Sequence, residues 1–209
     1  MPVFTKICGL STPETLGAAM AGGASHVGFV HYPPSPRHVT LDAAAALANQ
    51  ARARVKVVLL LVNPQPRALV AAFEAVQPDA VQFHGTESPE YLAKVKEHLP
   101  AEIWKAFGVR DASSLERSRA YAGAVDRILY DAPAQALPGG TGTRFDWTLL
   151  ADHTHAVDWG LAGGLTPDSV ADAIRLTGAP LVDVSSGVES APGIKDVDKI
   201  AAFLKAARL

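Results

Sequence analysis

The chain has 209 residues, 48% of them hydrophobic, and its 19 Lys and Arg against 21 Asp and Glu leave a formal net charge of −2. That length can bury one sizeable core without metals or disulfides, and the balanced charge excludes the concentrated basic surface that a nucleic-acid partner needs. Cys8 is the only cysteine, so neither an intrachain disulfide nor a thiolate metal cluster can form, which points to a reducing, cytoplasmic setting.

The first ten residues carry Lys6 inside their apolar run and pass straight into Gly9, unlike a secretory leader. No apolar stretch approaches the ~20 residues of a membrane span, so no membrane partner is expected. Short β-branched runs then alternate with helix-period segments along the chain. Val3–Ile7 reads as a strand and Pro13–Ala21 as a helix stopped at Gly22-Gly23; Ser25–Val30 and Leu41–Arg52 follow in the same order. Val55–Val62, apolar except at Lys56, reads as a strand buried on both faces, with Leu69–Val76 as its helix. Asp79–Phe83 leads to a helix over Ser88–Leu99 with Ser88 as N-cap, and Glu102–Phe107 to a helix over Ala112–Ala122. Arg127–Asp131 is a sixth strand, separated by a Gly/Pro-rich loop from a short helix at Asp146–Ala151. Val157–Leu161, Pro167–Leu176, Pro180–Val184 and Val197–Ala207 complete the alternation.

Eight βα units in this length predict an α/β fold: one TIM-barrel domain over residues 1–209, with an open doubly wound sheet as the rival. In a barrel the chemistry sits where strands hand over to their following loops. Those positions hold Lys6-Ile7-Cys8-Gly9, Tyr32 to Arg37, Gln82-Phe83-His84-Gly85, Tyr130-Asp131, Gly163-Gly164-Leu165 and Asp183 to Gly187. Polar residues and glycines therefore gather at one rim.

Together the segments KICGL, YPPSPR, VQFHG, LYDA with GGTGTRFDW, GLAGGLTPDSV and VDVSSGVE, from Lys6 to Glu189, resemble the phosphoribosylanthranilate isomerase family. The resemblance implies an Amadori rearrangement of N-(5-phosphoribosyl)anthranilate in tryptophan biosynthesis, run by a cysteine base and an aspartic acid without cofactor or metal. Its partner is then a small phosphorylated substrate, and the chain acts as a monomer or homodimer. By this reading Cys8 takes the C2 proton of the sugar and Asp131 protonates the ring oxygen. Taken alone, Cys8 reads first as a small buried hydrophobe, and Asp131 reads equally as a turn cap. Such an acid needs partial desolvation to hold its proton.

Arg37, after a proline-stiffened loop, is expected to contact the anthranilate carboxylate bidentately. Gly163 and Gly164, with Ser185, Ser186 and Gly187, fit the phosphate site that barrels build after their last two strands. His84 and Asp183 are candidate substrate contacts, with a core histidine and a strand cap as their other readings. Gly139-Gly140-Thr141-Gly142 lacks the lysine of a Walker A loop and reads as a lid beside Asp131. His31 before Tyr32, and Ser11-Thr12-Pro13 after the cysteine loop, depart from the family pattern without touching a candidate catalytic position. The rivals are a non-catalytic sugar-phosphate-binding barrel, which needs neither Cys8 nor Asp131, and related phosphate-binding barrel enzymes that use a lysine or a His/Asp metal set.

Overall fold

Each strand of this chain is too apolar to face water on either side, and a parallel sheet closed on itself and wrapped by helices is the arrangement that covers both faces. The computed structural model, which describes residues 3–133 and 145–208, has that form. Strands β1 (Phe4–Cys8), β2 (His26–Val30), β3 (Lys56–Leu61), β4 (Ala80–Phe83), β5 (Glu102–Gly108), β6 (Arg127–Asp131), β7 (Asp158–Leu161) and β8 (Leu181–Val184) form a closed barrel in sequence order. Every pairing is parallel, and β1 closes the ring by pairing Lys6 with Asp183 and Ile7 with Val184 of β8.

The helices are α1 (Pro13–Ala21), α2 (Leu41–Ala51), α3 (Pro66–Val76), α4 (Pro89–His98), α5 (Ala112–Ser118), α6 (Thr148–Ala151), α7 (Val170–Thr177) and α8 (Val197–Ala206). Thr12, Thr40, Ser88 and Asp111 each accept a backbone N–H three residues on, capping α1, α2, α4 and α5. Side chains alternate across each strand. One set, with Ile7, Phe29, Leu59 and Ile103, packs against the helices, while Val58, Ala80, Trp104, Leu129 and Leu181 fill the barrel interior. That inner plug closes the end where the strands begin, so the open mouth lies where they finish.

Differences from the sequence reading are local. The first strand ends on Cys8 rather than Ile7, because Cys8 still pairs with Gly28. Helix α3 begins earlier, at Pro66, where proline suits a first turn. Helix α7 begins only at Val170: Thr166 donates its N–H to the Ser169 hydroxyl, holding that stretch as a turn. Helix α5 stops at Ser118, and a 3-10 turn over Arg119–Tyr121 follows. A hairpin of β9 (Glu189–Ala191) and β10 (Ile194–Lys195) went unforeseen, being too short to show an alternation. The lid reading at Gly139 to Gly142 lies outside the described residues.

Candidate active site

Because odd and even positions of a strand face opposite ways, Lys6 and Cys8 share the inner face of β1, as Gln82 and His84 share that of β4 and its continuation. A cavity of about 760 Å³, measured with its open mouth, lies at the strand ends. Cys8, His84, Asp131 and Asp183 line it with Arg37, Gly163, Gly164, Ser185 and Ser186. Gly187 lies behind the wall, against the loop after β7.

Cys8 ends β1 and is buried. Burial pushes its thiol up, and the neighbouring Lys6 ammonium works in the opposite direction. Asp131 ends β6, three places from β1 around the ring, so the two face each other across the mouth. Its Oδ1 accepts the Ala132 N–H at 2.7 Å, and its Oδ2 lies 3.3 Å from Nε2 of His84. The His84 loop is itself tied down: Glu87 accepts the N–H groups of Asn63 and Gly85, and the buried Lys105 donates to Glu87 and to the Gly85 carbonyl.

The last two loops interlock. Gly163 and Gly164 both have positive φ, +79° and +72°, a region that favours glycine. A methyl group at Gly187 would sit 1.9 Å from the Leu165 carbonyl, so only glycine lets the loop after β8 touch the loop after β7. The Ser185 hydroxyl donates to the Cys8 carbonyl at 3.1 Å, linking this loop to β1.

Arg37 is held at the wall by a carboxylate: its guanidinium is forked onto Glu189, with Nε to Oε1 at 2.7 Å and Nη2 to Oε2 at 2.8 Å, which occupies that edge of the fork. Glu189 also accepts from Lys195 at 2.7 Å, and Lys195 in turn donates to the Ser185 carbonyl at 3.0 Å. Burial works against the Glu189 carboxylate, yet Arg37 and Lys195 hold it below the usual range.

Asp183 accepts from Lys6 through Oδ2 at 2.9 Å, while its buried Oδ1 has no hydrogen-bond partner among the described residues. Gln82 Oε1 is likewise buried and unpartnered on the cavity wall. Lys6, Gln82, Glu189 and Lys195 were not singled out from sequence. A signal existed for the first two, each standing two positions before a candidate residue and hence on the same inner face; none existed for Glu189 and Lys195. No group of three or more His, Cys, Asp and Glu suited to a metal ion occurs among the described residues, and no helix there is long and apolar enough to cross a membrane.

A family model described as N-(5'phosphoribosyl)anthranilate (PRA) isomerase matches residues 5–206. The chain is 60% identical over 203 residues to the N-(5'-phosphoribosyl)anthranilate isomerase of Erythrobacter litoralis, covering 97% of each. The solved phosphoribosyl anthranilate isomerase from Thermotoga maritima is similar at a TM-score of 0.90 and 36% identity, with 98% of each chain covered. A phosphoribosyl anthranilate isomerase solved in complex with reduced 1-(o-carboxyphenylamino)-1-deoxyribulose 5-phosphate gives a TM-score of 0.87 at 35% identity over 98% of each chain.

Proposed function

Since this chain belongs to the N-(5'-phosphoribosyl)anthranilate isomerase family, we propose that its cavity performs the family's reaction with Cys8 as general base and Asp131 as general acid. The activity is the Amadori rearrangement of N-(5-phosphoribosyl)anthranilate to 1-(2-carboxyphenylamino)-1-deoxyribulose 5-phosphate, a step of tryptophan biosynthesis. Asp131 gives its proton to the furanose ring oxygen; the C1–O bond breaks and the anilino nitrogen supplies the electron pair of a C1=N bond. The Cys8 thiolate then removes the C2 proton, the C–H pair moves to form C1=C2, and the C=N pair returns to nitrogen. The enol so formed tautomerises to the ketone.

His84, at 3.3 Å from Asp131, orients the acid. The phosphate lies against the backbone of Gly163 and Gly164 and the loop Ser185 to Gly187, where donors without side chains in the way approach an anion closely. Arg37, fixed at the wall by Glu189, supplies positive charge to the anthranilate carboxylate. Only protons and electron pairs within the substrate move, so the route calls for no redox cofactor. We extend the same reading to a single domain over residues 1–209 that works in the cytoplasm as a monomer or homodimer.

The observation that carries the assignment of roles is that Cys8 and Asp131, on opposing strands, line one cavity together with both glycine- and serine-bearing loops. Turnover of freshly made phosphoribosylanthranilate, followed by its anthranilate fluorescence in wild type and in single Cys8 and Asp131 variants, tests it. Conversion that survives both substitutions would place the acid and base elsewhere.

A further inference from the structure

Beside Cys8 and Asp183 of the cavity wall lies a lysine with no solvent exposure at all. Lys6 is fully buried and crosses the face of Gly28: a methyl group there would lie 3.2 Å from Lys6 Cε and 3.0 Å from Cys8 Sγ, so lysine stem and sulfur flank one methyl-sized space. Its ammonium ends on Asp183 Oδ2 at 2.9 Å.

We propose that Lys6 is a positioning residue for the isomerisation: its ammonium carries the positive charge for which Asp183 and the Cys8 thiolate compete, and so sets how much Cys8 is ready to accept a proton.

A buried ammonium keeps its charge only beside an anion. Burial alone would push Lys6 down, but Asp183 and Cys8 outweigh it and hold it protonated. The two anionic candidates are unequally served. Asp183 has one oxygen on Lys6 and a second, buried and unpartnered, so its carboxyl is pushed up by burial despite Lys6. The charged groups facing Cys8 are Lys6 from its own strand, Asp183 from β8 and Lys195 from the hairpin; Asp183 faces Asp131 and His84 in addition. One lysine between two poorly solvated acids stabilises either anion better than both, and their titrations are coupled. With Asp183 protonated, Lys6 is the counter-ion of the thiolate; with Asp183 ionised, Cys8 is a thiol. When the thiolate takes the C2 proton it becomes neutral, the C–H electron pair stays with the substrate, and Lys6 retains its own proton throughout.

Cys8 being the only cysteine, its ionisation can be read from thiolate ultraviolet absorbance against pH, with Cys8→Ser as baseline, in the unliganded protein. Lys6→Met should raise the Cys8 pKa by at least one unit, which is about a tenfold loss of thiolate at neutral pH. Lys6→Arg should stay near wild type. Asp183→Asn should move it the other way, because a competitor for the ammonium is gone while the amide oxygen still accepts from Lys6. The acid limb of kcat/KM should follow each shift. If Lys6→Met fails to fold, Lys6→Met with Asp183→Asn replaces it, and its Cys8 pKa should lie above that of Asp183→Asn alone.

A Cys8 titration unmoved or lowered by loss of Lys6, or raised by Asp183→Asn, overturns the inference. It rests on Cys8 being the base, yet fails separately: a titration that moves as stated while Cys8→Ala keeps full turnover sinks the base assignment and leaves the charge competition standing.

Discussion

A thiol that burial pushes upward, as it does Cys8, is a stronger base once ionised and a scarcer one at neutral pH. Its contribution should therefore grow as pH rises on the acid side of the profile, with kcat/KM increasing about tenfold per unit while the thiolate is the minor form. Cys8→Ala should cost about 100- to 10,000-fold in kcat, the usual range for a lost general base, with little change in the binding of a product analogue. Near-wild-type turnover in that variant would remove Cys8 from the reaction. Asp131→Asn keeps the shape of the side chain but has no acidic proton, so ring opening should slow by at least about 100-fold while KM changes far less. Stopped-flow and steady-state fluorescence separate the two effects. Both limbs of the pH profile persisting in Asp131→Asn would mean that another group supplies the proton.

At the scale of elements, the hairpin of β9 and β10 holds the wall of the site. Glu189 at its start accepts from Arg37 before α2 and from Lys195 on the opposite strand, and Lys195 reaches the Ser185 carbonyl in the loop proposed to hold the phosphate. All three side chains are buried. Glu189→Ala leaves two buried cations without their carboxylate, and breaking a buried pair this way costs about 3–5 kcal/mol. Denaturant titration should show that loss. If Arg37 also serves the anthranilate carboxylate, KM should rise more than kcat falls, and Glu189→Asp should recover part of it. A variant as stable as wild type would mean that the network does not hold the loop.

For the whole molecule, the histidines set a prediction about acid. His26, against Trp104 and near the lysines and Arg127, is pushed down to about 4, by burial first and then by Lys6. His155, stacked on Trp159 at 4.0 Å between ring centroids, is likewise pushed down to about 4, by burial first and then by His153. Both stay neutral in the fold, whereas an unfolded histidine takes its proton near pH 6.5. Between about pH 6.5 and 4 the unfolded chain thus binds more protons, so the stability they contribute is complete above 6.5 and is lost as pH falls toward 4. The unfolding free energy should fall steadily as pH is lowered across that interval, and His26→Gln combined with His155→Gln should flatten the dependence. An unchanged slope in the double variant would assign the acid sensitivity to other groups.

What the linear chain determined by itself was the order of strands and helices and, through it, the rim. Alternating β-branched runs and helix periods, with a cap at Ser88, are local signals, and a parallel βα repeat leaves few topologies open. Period-two parity even carried information that went unused, since it set Lys6 on the face of Cys8. Closure of the ring decided the rest. Lys6 meets Asp183 across 177 residues and Arg37 meets Glu189 across 152, and both pairings exist because β8 returns beside β1. Nothing near Arg37 in sequence distinguishes a substrate-facing guanidinium from one locked onto a hairpin. Which buried charge finds which partner depends on distances that arise only when the last strand docks, and in a low-dielectric interior those distances settle whether a group is an anchor, a counter-ion or a base.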